Sequence, residues 1–249
     1  MKTISIVIPA LNEEQGIGDV IKEVPIKELK KMGYETEILV IDNGSHDKTP
    51  NIARSHGARV IIQPIRGYGN AYKAGFANAS GDIIATGDAD MTYPFTILPG
   101  VIHMIDELGY DFINTDRLST LKPEVMEGSH VWGNYLLTIA TRVLFHWPYK
   151  DSQSGMWIFR RSIWDKLHVS SSGMPFSQEL KVEAYVRGFK CTEISIEYRA
   201  RAGEVKLNTL QDGIGNVMQL IKKRIWYGLF LPRPCEKPGD PSTAILGAK

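Results

Sequence analysis

The sequence of 249 residues predicts an α/β fold, a mostly parallel central sheet with helices on both faces, from three observations. Short, largely apolar runs alternate with segments of helical period through the first half. Each run is closed by a proline or a polar residue. Those polar residues collect at the carboxyl ends of the runs. A run apolar on both of its alternating faces suits a strand buried on both sides, the situation created by crossover helices in a parallel sheet. In open sheets of this kind ligands bind beyond the carboxyl ends of the strands.

Taken in order, Ile4 to Ile8 is the first strand, ended by Pro9. Asn12 to Gly16 opens a helix with Ile17, Val20, Ile21 and Val24 on one face. Glu37 to Ile41 is the second strand and stops at Asp42. Ser45 to Pro50 caps a helix that ends at Gly57, Pro50 being tolerated in the first turn. A third strand at 60–62, a helix from Gly69 to Asn78 and a fourth strand at 83–86 complete the alternating half. The second half is more mixed, with helices at 131–145 and 176–187 and strands at 156–159 and 192–197. Leu210, Ile214, Val217, Ile221 and Ile225 recur at helical spacing and are expected to face the body of the protein. No internal repeat is present, and residues 232–249, with four prolines and few apolar side chains, read as a loose tail.

Composition narrows the function classes. Hydrophobic residues at 43% and charged residues at 23% are those of a globular protein with a substantial core. A formal charge of +1, with no basic stripe, argues against nucleic acid as a partner and confines any anion site to a local cluster. Cys191 and Cys235 stand in no metal or redox spacing. The apolar run before Pro9 and Asn12 is too short for a signal-peptide core, and no stretch reaches the length of a membrane span. A cytoplasmic protein with at most peripheral membrane contact is the expectation.

The chemistry concentrates at Asp88-Ala89-Asp90, where the fourth strand runs out. Strand alternation would put Asp88 and Asp90 on one face. Paired carboxylates repel unless a cation lies between them, and Mg²⁺ or Mn²⁺ on oxygen ligands is the fitting answer, able in turn to hold a diphosphate. A bare acidic loop is the plainer alternative. Pro9 to Glu14 could cradle a nucleobase or simply start a helix, and Asp42 could accept from a base N–H or initiate a turn. Arg66 to Gly75 is glycine-rich but fits neither the Walker nor the dinucleotide fingerprint, which argues against a P-loop kinase and an NAD enzyme. Its small residues, Gly69 beside Asn70 among them, would let a ligand approach the backbone.

The ordered set VIPALNEEQGI, ILVIDNGSHDKT and RGYGNAYKAGFANASGDIIATGDADMTYP resembles the family 2 glycosyltransferases of GT-A fold. NTDR at 114–117, GNYLLTIATRVLF at 133–145, DSQSGMWIFRR at 151–161, the helix with Glu179, and EYRARAGEVKL at 197–207 are similar to the polyprenyl-phosphate branch, which includes the dolichol-phosphate mannose synthases. The resemblance covers residues 3–230. It implies one GT-A domain over 1–230, a nucleotide-sugar half at 1–115 and an acceptor half at 116–230, with 231–249 as a flexible tail. It further implies that Pro9, Ala10, Asn12, Glu13 and Asp42 line the base and ribose pocket, joined by Gly69, Asn70 and Ala89. Asp88 and Asp90 would flank the donor diphosphate, Asp90 being the direct ligand of the metal. Arg117, Arg142, Arg201 and Lys206 would meet donor and acceptor phosphates, and Asp151, Gln153, Ser154 and Gly155 would edge the acceptor site. Two departures stand out. Branch members often carry Gln where this chain has Thr92, and several have membrane helices after the catalytic domain, whereas this chain must reach lipid otherwise. A membrane partner subunit or self-association remains open.

The implied reaction is transfer of a hexose or N-acetylhexosamine from a nucleotide-diphosphate sugar to a polyprenyl or dolichyl phosphate. A lipid phosphate is already an anion and attacks without a strong general base, in line and with inversion. A UDP-sugar is favoured by similarity to archaeal dolichyl-phosphate sugar synthases, with GDP-mannose open. A soluble acceptor on the same fold would need a base if it were a hydroxyl, and Asp151 is the candidate. A catalytically silent nucleotide-sugar-binding protein is the remaining alternative. Ile221 to Pro232 joins three basic residues to an aromatic and aliphatic run, as an interfacial anchor or the end of a docked core helix would.

Overall fold

A computed structural model describes residues 1–122, 124–203 and 209–228. Lys206, Cys235 and the segment 231–249 lie outside the described residues. The elements run β1 (Lys2–Ala10), α1 (Ile17–Glu23), α2 (Ile26–Lys31), β2 (Tyr34–Asp42), α3 (Thr49–Ser55), β3 (Arg59–Ile62), α4 (Tyr68–Asn78), β4 (Ile83–Thr86) and α5 (Leu98–Asp106) in the first part. They continue with β5 (Phe112–Asp116), α6 (Gly128–Phe145), β6 (Trp157–Arg160), α7 (Arg161–Trp164), α8 (Pro175–Val186), β7 (Cys191–Ser195) and α9 (Thr209–Tyr227). One seven-stranded sheet in the order β3-β2-β1-β4-β6-β5-β7 takes strands from both halves of the chain. Only β6 runs against its neighbours β4 and β5, while the other pairs are parallel.

The alternation of β1 divides the core between the two faces. Ile4, Ile6 and Ile8 pack with Ile17, Val20 and Ile21 of α1 and Leu98, Ile102 and Ile105 of α5. Val7 packs on the other face with Tyr72 and Phe76 of α4 and Phe176 and Leu180 of α8. Every β4 residue is buried, as its unbroken apolar run requires. β1 continues through Pro9 instead of ending there. Ala10 O accepts from Asn43 N on the β2 side, so the missing N–H of Pro9 falls on the opposite side, where pairing with β4 has already stopped at Val7.

One helix departs from expectation, and a second shares its exposed apolar character. On α9 the apolar stripe Ile214, Val217, Ile221 and Ile225 faces outward, Ile225 being 74% exposed. The inward stripe is Asn216, Leu220 and Lys223. Lys223 decides the orientation: its ammonium lies 2.9 Å from Glu179 and 2.8 Å from Glu183, both buried on α8. Glu183 also has Arg187 at 2.7 Å, but burying Glu179 without a cation would cost far more than exposing a few aliphatic side chains. Lys223 is therefore unavailable as a surface charge beside Lys222. On α6, which packs alongside α9, Trp132, Tyr135, Leu136, Ile139 and Val143 are likewise exposed.

Candidate functional site

The carboxyl ends of β1 and β2 are sewn together by side chains. Asn12, at φ 52° in the left-handed region that asparagine tolerates, accepts from His46 N at 2.8 Å, and its own N–H donates to Ser45 Oγ at 2.9 Å. Glu13 N donates to Thr49 Oγ1 at 2.8 Å. Asp42 is buried, and its Oδ1 accepts from Ser45 N at 3.1 Å, the turn-initiating geometry. Asn43, absent from the expected site, fastens this edge to the glycine-rich loop by donating to Gln63 O and Ile65 O and accepting from Gly67 N. Its place directly after Asp42 was the available signal.

The small residues of that loop answer first to protein. A Cβ on Gly67 would stand 2.3 Å from Ser172 O, and one on Gly69 would stand 2.5 Å from Ser171 O. Asn70 N donates to Ser172 O, and its side chain donates to Arg66 O. The close approach expected of a ligand is thus made at these two positions by the segment preceding α8.

Asp88 and Asp90 lie beyond β4, which ends at Thr86, so a turn and not strand alternation brings them together. Met91, at φ 70°, takes the strained position of that turn. Asp90 is buried, and its Oδ1 accepts from Thr92 N at 3.1 Å and Thr92 Oγ1 at 2.6 Å. Thr92 therefore props Asp90, its hydroxyl already used. Asp90 Oδ2 faces Arg201 Nη1 at 3.2 Å, and Arg201 Nη2 donates to Glu13 Oε1 at 2.7 Å. Enclosure of its carboxyl and then the charge of Asp90 push Asp88 up to about 7, with Arg201 and Arg117 pulling the other way. Burial works against the charge on Arg201, but Asp90 and Glu13 outweigh it. Backbone bonds fix the approach of this arginine: Ala202 N donates to Asp90 O at 2.9 Å and Arg199 N to Thr92 O at 3.1 Å.

A second buried group stands beside the first. Asp151 accepts from Arg117 Nε at 2.7 Å, Arg117 Nη2 at 3.0 Å, Arg117 N at 3.1 Å and Gln153 N at 2.9 Å. Burial alone would raise its carboxyl, yet Arg117 holds it below the ordinary carboxylate range. The Arg117 guanidinium also lies over the Tyr198 ring, 5.3 Å from its centroid. Ser154 is fully buried, its hydroxyl 2.6 Å from Thr115 Oγ1. Its carbonyl accepts from Trp157 Nε1, Ser177 Oγ and Lys181 Nζ at 2.7, 2.9 and 2.7 Å. Gly155 N donates to Tyr93 OH at 2.6 Å, and Tyr68 OH reaches Asp88 Oδ1 at 3.4 Å. Tyr68, Tyr93 and Lys181 are additions to the expected set; Tyr93 stands three residues after Asp90 and Tyr68 one before Gly69. Arg142 is different: it sits exposed on α6, donating to Tyr149 O at 2.9 Å, with no contact to Asp88 or Asp90 among the described residues.

Residues 5–167 match the family described as Glycosyl transferase family 2. The chain is 39% identical over 236 residues to the low-salt glycan biosynthesis hexosyltransferase Agl6 of Haloferax volcanii, covering 92% of this chain and 56% of that protein. It is 33% identical over 220 residues to the dolichyl-phosphate hexose transferase of the same organism, covering 88% of this chain and 92% of that protein. The chain thus spans little more than half of the first relative and nearly all of the second. Among solved structures, glucosyl-3-phosphoglycerate synthase from Mycobacterium tuberculosis in complex with Mg²⁺ and UDP superposes with a TM-score of 0.68 at 25% identity, covering 90% of this chain and 79% of that one.

Proposed function

The chain belongs to glycosyl transferase family 2, and from that premise we propose that it moves a hexosyl or N-acetylhexosaminyl group from a nucleotide-diphosphate sugar to a polyprenyl or dolichyl phosphate at the cytoplasmic face of a membrane. A UDP-sugar is the favoured donor. The observation that carries the reading is the meeting of Asp88, Asp90 and Arg201 at the carboxyl end of β4, within the field of buried Arg117. The name of the Haloferax dolichyl-phosphate hexose transferase supports the lipid acceptor. UDP and Mg²⁺ bound to the mycobacterial synthase support the donor class and the ion.

The residues fit a hard divalent cation in part. Asp88 and Asp90 supply oxygen donors, and the repulsion from Asp90, which adds to burial in lifting Asp88, is what a cation between them would relieve. Among the described residues no three His, Cys, Asp or Glu side chains converge, so donor diphosphate oxygens and water would complete the shell. Mg²⁺ or Mn²⁺ there would neutralise charge on the leaving diphosphate. Arg201 adds a fixed cation for the same charge, a contribution of the kind whose removal costs about 10²–10³ in rate. Asp42 and the Asn12–Glu13 turn offer acceptors and backbone for the base and ribose. Asp151 is bound by Arg117 and held ionised by it, so its role is to position that guanidinium, and an anionic acceptor that needs no base suits the site better than a hydroxyl. Displacement is in line and inverts the anomeric carbon.

The outward stripes of α6 and α9 favour a surface membrane approach. No helix among the described residues is long and apolar enough to cross a membrane. The test is transfer of labelled sugar from UDP-glucose, UDP-N-acetylglucosamine or GDP-mannose to a short polyprenyl phosphate in detergent, read as organic-extractable product. One donor should be used, and Asp90→Ala should abolish transfer while the far-ultraviolet circular dichroism is kept. Product confined to a water-soluble acceptor would overturn the lipid reading, and full activity of Asp90→Ala would overturn the site.

A further inference from the structure

Resting on the reading of Asp88 and Asp90 as the cation site, we infer that Arg201 competes with the metal for Asp90, so that the protein takes up its cation together with the donor diphosphate and only weakly without it. The geometry points there from both partners. Of the two Asp90 oxygens, Oδ1 already accepts two bonds from Thr92, which leaves Oδ2 as the better-placed ligand atom. That oxygen is where Arg201 Nη1 sits, at 3.2 Å. The arginine is held to the spot from two further directions, by Glu13 Oε1 at 2.7 Å and by the backbone bond from Ala202 N to Asp90 O. A cation brought to Oδ2 would meet a guanidinium on the same atom, and like charges at that separation repel strongly in a partly buried site.

A diphosphate removes the conflict. Its negative oxygens lie between two cations without loss to either and give Arg201 a new acceptor. Arg201 Nε is ready for one: it is buried and has no hydrogen-bond partner among the described residues. Thermodynamic reciprocity then requires that nucleotide tighten the metal by the same factor as metal tightens the nucleotide.

The experiment measures free Mn²⁺ by electron paramagnetic resonance during titration of the full chain, alone and with saturating UDP or GDP. Wild type should bind Mn²⁺ weakly alone and at least tenfold more tightly with the correct nucleotide. Arg201→Met and Arg201→Gln should bind Mn²⁺ alone at least tenfold more tightly than wild type, with the nucleotide effect correspondingly smaller. Arg201→Lys, which keeps the charge, should stay near wild type. Two neutral variants are used because one could be lost to misfolding, and melting curves identify such a loss. Unchanged Mn²⁺ affinity in the folded neutral variants, with strong nucleotide dependence in wild type, would overturn the competition and leave the metal site standing. Absence of Mn²⁺ binding in every protein, with or without nucleotide, would overturn the metal site and the competition together.

Discussion

At the scale of single residues, the site is built by making buried groups satisfy one another. Gly155 shows how little slack is left: a Cβ there would stand 2.8 Å from Tyr68 OH, 3.2 Å from Tyr93 OH and 3.3 Å from Asp88 Oδ2. Gly155→Ala should push Asp88 and both tyrosines out of place, destabilising the fold by about 1–3 kcal/mol and weakening nucleotide-sugar binding; calorimetric titration with the donor and urea unfolding measure the two effects. Lys181 gives a pH prediction. Burial lowers its ammonium from the ordinary lysine range to about 7, despite the bond to Ser154 O. Between about 7 and the unfolded value the native state holds fewer protons than the unfolded chain, so this group makes stability rise with pH across that window. The melting temperature of Lys181→Met relative to wild type should therefore fall as pH goes from 7.5 to 9.5 in roughly half-unit steps. A constant difference would mean that the lysine stays charged throughout.

Elements were legible in the sequence to the degree that burial alone decided them. β4 matches its apolar run at 83–86, and α4 and α8 fall within a residue of their periodic segments. β5 was visible only as the polar motif at its end, because Asn114, Thr115 and Asp116 are buried by hydrogen bonding and not by apolarity. α9 shows the opposite failure: its period was correct but its face was reversed. Periodicity reports that a stripe exists, whereas the partners of Glu179 and Glu183, forty or so residues away, decide where it points. Lys223 is the test. Lys223→Met leaves buried Glu179 without its paired cation and Glu183 with Arg187 alone, and should cost about 3–5 kcal/mol in urea unfolding. Glu179→Gln in that background should recover a good part of the loss, since it removes the carboxylate left without a cation while Glu183 keeps its pairing with Arg187. Burial works to raise Glu179 and Glu183, but their hydrogen bonds, including those from Lys223, hold both carboxyls below the ordinary glutamate range. Their contribution is therefore present above the unfolded value and fades as pH falls through the folded ones.

At the scale of the whole molecule, the reversed face of α9 and the exposed apolar side of α6 have one consequence. The polar edge that holds Asp42, Asp88 and Asp90 could be placed from the sequence because it sits at strand ends, which local pattern fixes. The outward apolar surface could not, because it depends on which helix faces the folded body shields. α6 joins the two regions. Its inner side carries Thr138, 3.1 Å from Ser152 Oγ, and Thr141, 2.7 Å from Gln178 Nε2, so it rests on the segment that also contains Asp151 and Ser154. Its outer side presents Trp132, Leu136 and Val143, with Trp132 and Val143 each 71% exposed, and α9 continues the surface with Ile221, Ile225 and Trp226. Aromatic and aliphatic side chains in that pattern suit the headgroup and acyl boundary, and exposed Lys222 would add attraction to anionic lipid there. If this surface brings the lipid phosphate to the arginines, membrane affinity and chemistry should separate by substrate. Replacing Trp132, Ile225 and Trp226 together by serine should reduce co-flotation with anionic vesicles at least tenfold. Transfer to polyprenyl phosphate in vesicles should fall in parallel, while transfer to a short-chain acceptor dissolved in detergent stays within about twofold of wild type, because these side chains lie on the outer surface and surface changes usually shift stability by less than about 0.5 kcal/mol. Equal loss with both acceptors would assign the surface to folding, and unchanged flotation would remove the membrane from the account of these helices.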